Sequence, residues 1–253
     1  MEPAVLREDM VDGLAEPPRN VLTDETVAVA MRDVPRHVFV DDERAAYAAR
    51  DHDVLGTRVL APSTAARLLQ ALSLDGDETV LIVGVGVGYT AAVVAEIVGE
   101  TSVHAIDISR PLVTAARENL AAAGYDGVLV DCRDGAYGLP EYAPFDRILL
   151  EAAVVDPPQP LPAQLADDGL LVFPRGTHRQ RLEALSPDGE RDTFGAVAFD
   201  PLLVDGEQSG AVERNRTSRE DRERAQRRAE SRWGWEHEWI EWDDSVGSRS
   251  QPH

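Results

Sequence analysis

Apolar residues along this chain alternate between two rhythms. Short unbroken apolar runs read as buried strands, and each is followed by apolar positions three or four apart, which read as helices. ETVLIVG (78–84) predicts a strand and YTAAVVAEIVG (89–99) a helix. SVHAID (102–107) predicts a second strand and RPLVTAARENLAAAG (110–124) a second helix. GVLVDC (127–132), DRILLEAAV (146–154) and GLLVFP (169–174) add three strands, with a Pro-rich loop and a short helix at 160–167 before the last. Such alternation predicts a parallel sheet covered on both faces. The rhythm then changes. QRLEALS (180–186) and TFGAVAFDPLLV (193–204) flank the turn Pro187-Asp188-Gly189 and predict an antiparallel pair closing the sheet.

The flanks are read the same way. Residues 1–20 are polar, with Pro17 and Pro18, and predict a leader with little regular structure. TDETVAVAMRDVPRHVFV (23–40) predicts a helix started near Thr23 and stopped at Val34-Pro35, and residues 41–62 predict irregular chain. STAARLLQALSL (63–74) predicts a helix capped by Ser63 and ended by Asp75-Gly76-Asp77. ERNRTSREDRERAQRRAESR (213–232) has eight arginines against five acids and predicts a charge-laced helix, solvated or facing an anionic partner. WGWEHEWIEW (233–242) holds all four tryptophans, and Trp235, Trp239 and Trp242 share a helical face, as docked packing or as a binding surface. Three parts are expected: 1–74 as an N-terminal helical segment, 75–204 as the strand–helix domain, and 205–253 as a charged and Trp-rich extension.

Charge changes the picture next. The formal net charge is −21, and all 25 basic residues are arginine. So large an excess costs self-repulsion that molar salt screens over a Debye length of ~3 Å. It suggests a salt-rich, halophilic cytosol, or an organism whose base composition favours Arg over Lys. An acidic surface argues against nucleic-acid binding. The opening MEPAVLREDM lacks a basic and apolar leader, and no apolar run reaches the ~20 residues of a membrane helix, so a cytoplasmic protein is expected. Cys132 is the single cysteine, which excludes an internal disulfide, and the six histidines are scattered, so no metal site is expected. Cys132 has no adjacent His in sequence to activate it, so a structural thiol is expected.

The chemistry lies in the loop after the first strand of the sheet. Gly84, Gly86 and Gly88 give G-x-G-x-G, and Tyr89 stands where the dinucleotide fingerprint has its third glycine. Glycine permits left-handed backbone and close approach to a ligand, and the helix start beyond it offers oriented N–H groups. Asp107-Ile108 ends the next strand, where a carboxylate can accept from both ribose hydroxyls of a nucleoside. Asp134-Gly135 follows the third strand, where an acid can meet an adenine amino group. A loop without basic residues and with small Val85 and Val87 suits a nucleoside lacking phosphates. S-adenosyl-L-methionine is such a ligand.

With those residues in place, the chain resembles the protein-L-isoaspartate O-methyltransferase family over roughly residues 10–204. The likeness rests on VPRHVF (34–39), VGVGVGYTAAVVAEIVG, AIDISRPLVTAARENLAAAGYD, RDGAYGLPEYAPFDRILLEAA (133–153) and PPQPLPAQLADDGLLVFPRG (157–176). It implies a seven-stranded, Rossmann-like class I methyltransferase sheet, mostly parallel with an antiparallel closing strand. It implies S-adenosyl-L-methionine as methyl donor, and as acceptor the side-chain carboxylate of isoaspartyl residues in damaged proteins or peptides. It also implies hydroxyls beside that carboxylate in a Thr-Ile-Ser run before a proline. In LGTRVLAP (55–62) that run is Arg58, Val59 and Leu60, and Ile82 stands where a strand glutamate is usual. Arg58 is then a candidate to hold the acceptor carboxylate through its planar fork, and Thr57 or Ser63 a candidate hydroxyl. Two rival readings stay open: a donor-binding module with weak or no transfer activity, and an NAD-dependent oxidoreductase.

Overall fold

The computed structural model describes residues 2–17 and 20–203. The Arg/Glu helix and the tryptophan face expected at 213–242 lie outside those residues.

The chain opens with helix α1 (Pro3–Ala15), where little regular structure was expected. The reason is a narrow apolar stripe: Met10, Val11 and Leu14 are buried, while Glu8 and Asp12 pair with Arg32 of the next helix at 3.2 and 2.9 Å. Helix α2 (Glu25–Asp33) starts at Asp24, not Thr23, because the Asp24 side chain accepts from Val27 N–H at 3.1 Å. Residues 41–62 contain a hairpin, strands β1 (His52–Val54) and β2 (Thr57–Val59), turning through Leu55 and Gly56 at positive φ. Helix α3 (Pro62–Leu72) begins with the proline rather than at a Ser63 cap, and ends at Ser73 in the left-handed conformation rather than at Asp75-Gly76-Asp77.

Strand β3 (Val80–Val83), helix α4 (Tyr89–Val98), strand β4 (Val103–Asp107), helix α5 (Arg110–Ala123) and strand β5 (Leu129–Cys132) follow the expected alternation. Strand β6 is Phe145–Leu150, and the helix expected at 160–167 is only the 3-10 turn Pro162–Gln164. Leu165 already belongs to the long strand β7 (Leu165–Arg175). Strands β8 (Gln180–Leu185) and β9 (Arg191–Val197) complete a seven-stranded sheet in the order β5-β4-β3-β6-β7-β8-β9. Five strands are parallel, and β8 and β9 each run antiparallel to the neighbour before them.

This order places the site. The chain runs outward from β3 to β4 and β5, then crosses back to lay β6 on the other flank of β3. The carboxyl ends of β3 and β6 therefore bound the crevice where open α/β sheets bind ligands. Both faces are covered: Val80, Ile82, Ala105 and Val130 share a core with α1 to α5, while Leu81, Val83, Ile106 and Ile148 share another with Leu161 and Leu202. The N-terminal helices belong to the first of these cores.

Candidate functional site

The loop from β3 to α4 turns back on the sheet. Gly84 and Val85 N–H groups both donate to Ile106 O, at 2.8 and 3.1 Å. Gly84, Gly86 and Gly88 sit at φ of +87°, +56° and +99°, a region that side chains disfavour. Val85 and Val87 turn into the core, and Asn119 of α5 braces the loop by donating to Val87 O at 3.0 Å.

Asp107 closes on this loop. Its Oδ2 accepts from Gly86 N–H at 3.0 Å and its Oδ1 from Ser109 N–H at 2.9 Å. The side chain is buried, which pushes its pKa up, while bonds from Ser109, Gly86 and Ile108 N–H pull it back. Arg133 N–H donates to Asp107 O at 3.0 Å, so the ends of β4 and β5 lie side by side. Asp134 follows and accepts from Ala136 N–H at 2.8 Å, capping a 3-10 turn. Gly135 abuts the end of β3 so tightly that an added Cβ would collide with Val83 Cγ1. The half-buried Cys132 directs its thiol at Ile108 O, 3.8 Å away. The structure therefore brings Gly84, Gly86, Gly88, Asp107, Ile108, Asp134 and Gly135 to one edge of the sheet.

The acceptor-side candidates divide. Thr57 reaches the loop: a Cβ on Gly86 would lie 3.7 Å from both Thr57 Oγ1 and Cγ2. Arg58 spends its guanidinium elsewhere, 3.8 Å from Asp51 and 3.4 Å from Asp200, with a further contact to Ala198 O. Leu60 is buried, and its carbonyl accepts from Arg36 Nη2 at 2.6 Å.

Arg36, Glu151 and Gln164 were not picked out as site residues. Arg36 is fully buried; its Nε donates to Ala46 O at 2.7 Å, and its guanidinium stacks over Tyr89 at 4.5 Å. Burial lowers its pKa, with Tyr89 opposing. It ties the segment before α3 to the first residue of α4, directly after the glycine loop. The only hint in sequence is an arginine within the apolar VPRHVF. Gln164 is buried, accepts from Leu139 N–H and donates to Tyr137 O, both at 2.8 Å. Its head group fills the space a side chain at Gly138 would need, which fixes glycine there at φ +63°. Glu151, just past β6, bonds back to β3 through its N–H to Val83 O at 2.8 Å. Its carboxyl lies beneath the loop with Thr90 as hydrogen-bonding neighbour, and burial raises its pKa to about 8. Sequence reading treats it as an ordinary solvated charge, because nothing local marks a strand end as buried.

The long FDRI run of 145–148 is structural. Asp146 accepts from Thr79 N–H at 2.8 Å, while Arg147 donates to Leu72 O at 2.7 Å and Ser73 O at 3.1 Å. These bonds join the starts of β3 and β6 to the end of α3, at the edge opposite the glycine loop. Among the described residues no cluster of His, Cys, Asp and Glu is placed to hold a metal, and no helix is long and apolar enough to cross a membrane.

Known proteins share this architecture. A solved structure named protein-L-isoaspartate O-methyltransferase superposes with a TM-score of 0.68 at 25% identity, over 76% of this chain and 64% of that one. A second, from Plasmodium falciparum and bound to S-adenosyl-L-homocysteine, gives 0.70 at 19% identity, over 78% of this chain and 98% of that one. In sequence, the protein-L-isoaspartate O-methyltransferase of Methanococcoides burtonii is 37% identical over 72% of this chain and 93% of its own. The enzyme of that name from Aeropyrum pernix is 40% identical over 72% of this chain and 74% of its own. The family model for protein-L-isoaspartate(D-aspartate) O-methyltransferase matches residues 7–205. By this match over most of its length, the chain belongs to the protein-L-isoaspartate(D-aspartate) O-methyltransferase family.

Proposed function

We propose that this chain methylates the side-chain carboxylate of isoaspartyl residues in damaged proteins, with S-adenosyl-L-methionine as donor. The observation that carries the reading is the bond from Gly86 N–H to Asp107, which sets an acid against a positive-φ glycine turn at the carboxyl edge of the sheet. The residues suit the donor: the stretch 84–89 has no basic side chain for phosphates, and two carboxyl groups lie at the crevice. When bound, S-adenosyl-L-methionine supplies an electrophilic methyl group on a sulfonium.

The chain's own residues bind and orient. With the donor bound, Asp107 would accept from the ribose hydroxyls, and Ile108, Asp134 and Gly135 would hold the base. An ionised acceptor carboxylate is already a nucleophile, so positioning and removal of water carry the rate. Thr57, facing Gly86, is a hydroxyl placed to hold that carboxylate, in place of the hydroxyl that Leu60 lacks. Arg58, its guanidinium held by Asp51 and Asp200, frames the acceptor side through those ion pairs. Family membership over 7–205 favours this enzyme over a silent donor-binding module. We further place it in a salt-rich cytoplasm, as the 46 acids against 25 basic residues suggest.

Calorimetric titration with the donor tests the pocket. Asp107→Ala removes two charge-assisted bonds and is expected to weaken binding about 100-fold. Wild-type affinity in that variant overturns the assignment. Transfer of a labelled methyl group to an isoaspartyl peptide, compared at low salt and in molar KCl, tests acceptor and setting. No transfer in either condition overturns the acceptor, and equal rates overturn the salt-rich setting.

A further inference from the structure

Resting on that donor reading, we propose that Glu151 is a donor-binding residue, supplying the carboxylate that neutralises the cationic end of S-adenosyl-L-methionine.

Its position is set by sheet order. β3 and β6 pair in parallel with Val83 opposite Leu150, so the next residues, Gly84 and Glu151, leave the sheet together at the strand-order reversal. A Cβ on Gly84 would sit 3.7 Å from the Glu151 carbonyl and 3.8 Å from its Cβ. Thr90, in the first turn of α4, is the hydrogen-bonding neighbour of the carboxyl group. Glu151 Oε1 is buried and meets no hydrogen-bond partner among the described residues.

A buried carboxyl oxygen without a partner is costly, and more so when charged. Among the described residues no basic side chain answers it. From β3 and its loop comes glycine backbone, from α4 come Thr90 and Tyr89, and the Tyr89 ring is covered by Arg36. From β4 comes Asp107, and burial, with the charge of that aspartate added, holds the Glu151 proton in place. Such a group accommodates a positive ligand and loses its proton as the ligand arrives. The donor carries two positive centres, an ammonium and a sulfonium. Its demethylated product, S-adenosyl-L-homocysteine, keeps only the ammonium.

Calorimetry on the full chain separates the possibilities, with donor and product titrated into wild type and Glu151→Gln. At pH 6.5 the ligand ammonium, with a pKa of about 7.7–8.0, stays charged. In two buffers of different ionisation enthalpy, wild type is expected to release close to one proton per donor bound and the Gln variant close to none. Wild-type affinity is expected to rise as the pH approaches 8, while the nearly isosteric Gln variant shows no such rise and binds at least tenfold more weakly at pH 8. Glu151→Asp is expected to recover part of the proton release. Equal loss for donor and product assigns the carboxylate to the ammonium, and loss for the donor alone assigns it to the sulfonium. Unchanged affinity for both, with unchanged proton release, overturns the role of Glu151 and leaves the pocket standing. Failure of wild type to bind the donor at all overturns the pocket and this role with it.

Discussion

The two ends of one sheet use their acids in opposite ways. Where β3 and β6 begin, Glu78 and Asp146 are spent on backbone and arginine partners. Glu78 accepts from Asp75 and Gly76 N–H at 2.7 and 2.8 Å and lies 3.7 Å from Arg147, and Asp146 holds Thr79 N–H. At the opposite edge, Asp107 at the end of β4 and Glu151 just past β6 are both pushed up in pKa by burial, and Glu151 keeps one oxygen without a partner among the described residues. Saturated acids stabilise a fold; a buried acid short of partners is a liability that a ligand can relieve. The contrast locates function without reference to conservation.

The largest effect is expected from Asp107→Ala, which weakens donor binding about 100-fold in the calorimetric titration. Its mirror at the other end is Arg147→Ala. That change strips two carbonyls at the end of α3 and leaves half-buried partners behind, so it is expected to cost about 2 kcal/mol in denaturant unfolding, with donor affinity intact. Altered donor affinity there would mean that the two ends are not separate.

The pH dependence of stability sharpens the same contrast. Glu151 has its folded pKa raised from 4.5 to about 8, so the folded state holds the proton more tightly than the unfolded state. Its contribution is then full below about pH 4.5 and is lost as pH rises through about 8. Wild type without donor is expected to lose thermal stability relative to Glu151→Gln over that window. Saturating donor should reduce the difference. Arg58→Ala is the smallest expected effect: its ion pairs are partly exposed, with side chains 29% accessible on Arg58 and 76% on Asp200, so the cost to stability is below about 1 kcal/mol. A much larger loss would show that the hairpin depends on the pair, and a raised KM for the isoaspartyl peptide at unchanged stability would support contact with the acceptor.

Misread elements share a cause. Helix α1 was hidden because its stripe of Met10, Val11 and Leu14 is short and lies among acids, and only the partners α2 and α3 make it worth burying. The 160–167 helix was over-read because its apolar residues serve a tight turn, which Gln164 then locks to Tyr137 and Leu139. The Asp24 cap of α2, one residue past Thr23, and the start of α3 at Pro62 rather than at a Ser63 cap reflect the choice among adjacent polar or proline starts, which side-chain and ring geometry settles.

The sequence by itself determined the alternation of β3 to β7 with α4 and α5, the glycine turn, and the acids at the ends of β4 and β5. Each is written in contiguous residues, as a period, a conformational demand or a strand terminus. Only the tertiary structure decided that β6 lies beside β3, and with it that Glu151 shares a crevice with Gly84, that Thr57 faces Gly86, and that Arg36 joins Leu60 to Tyr89. Those pairings bring together residues far apart in the chain. Their energies come from burial and partner count, which no local window contains.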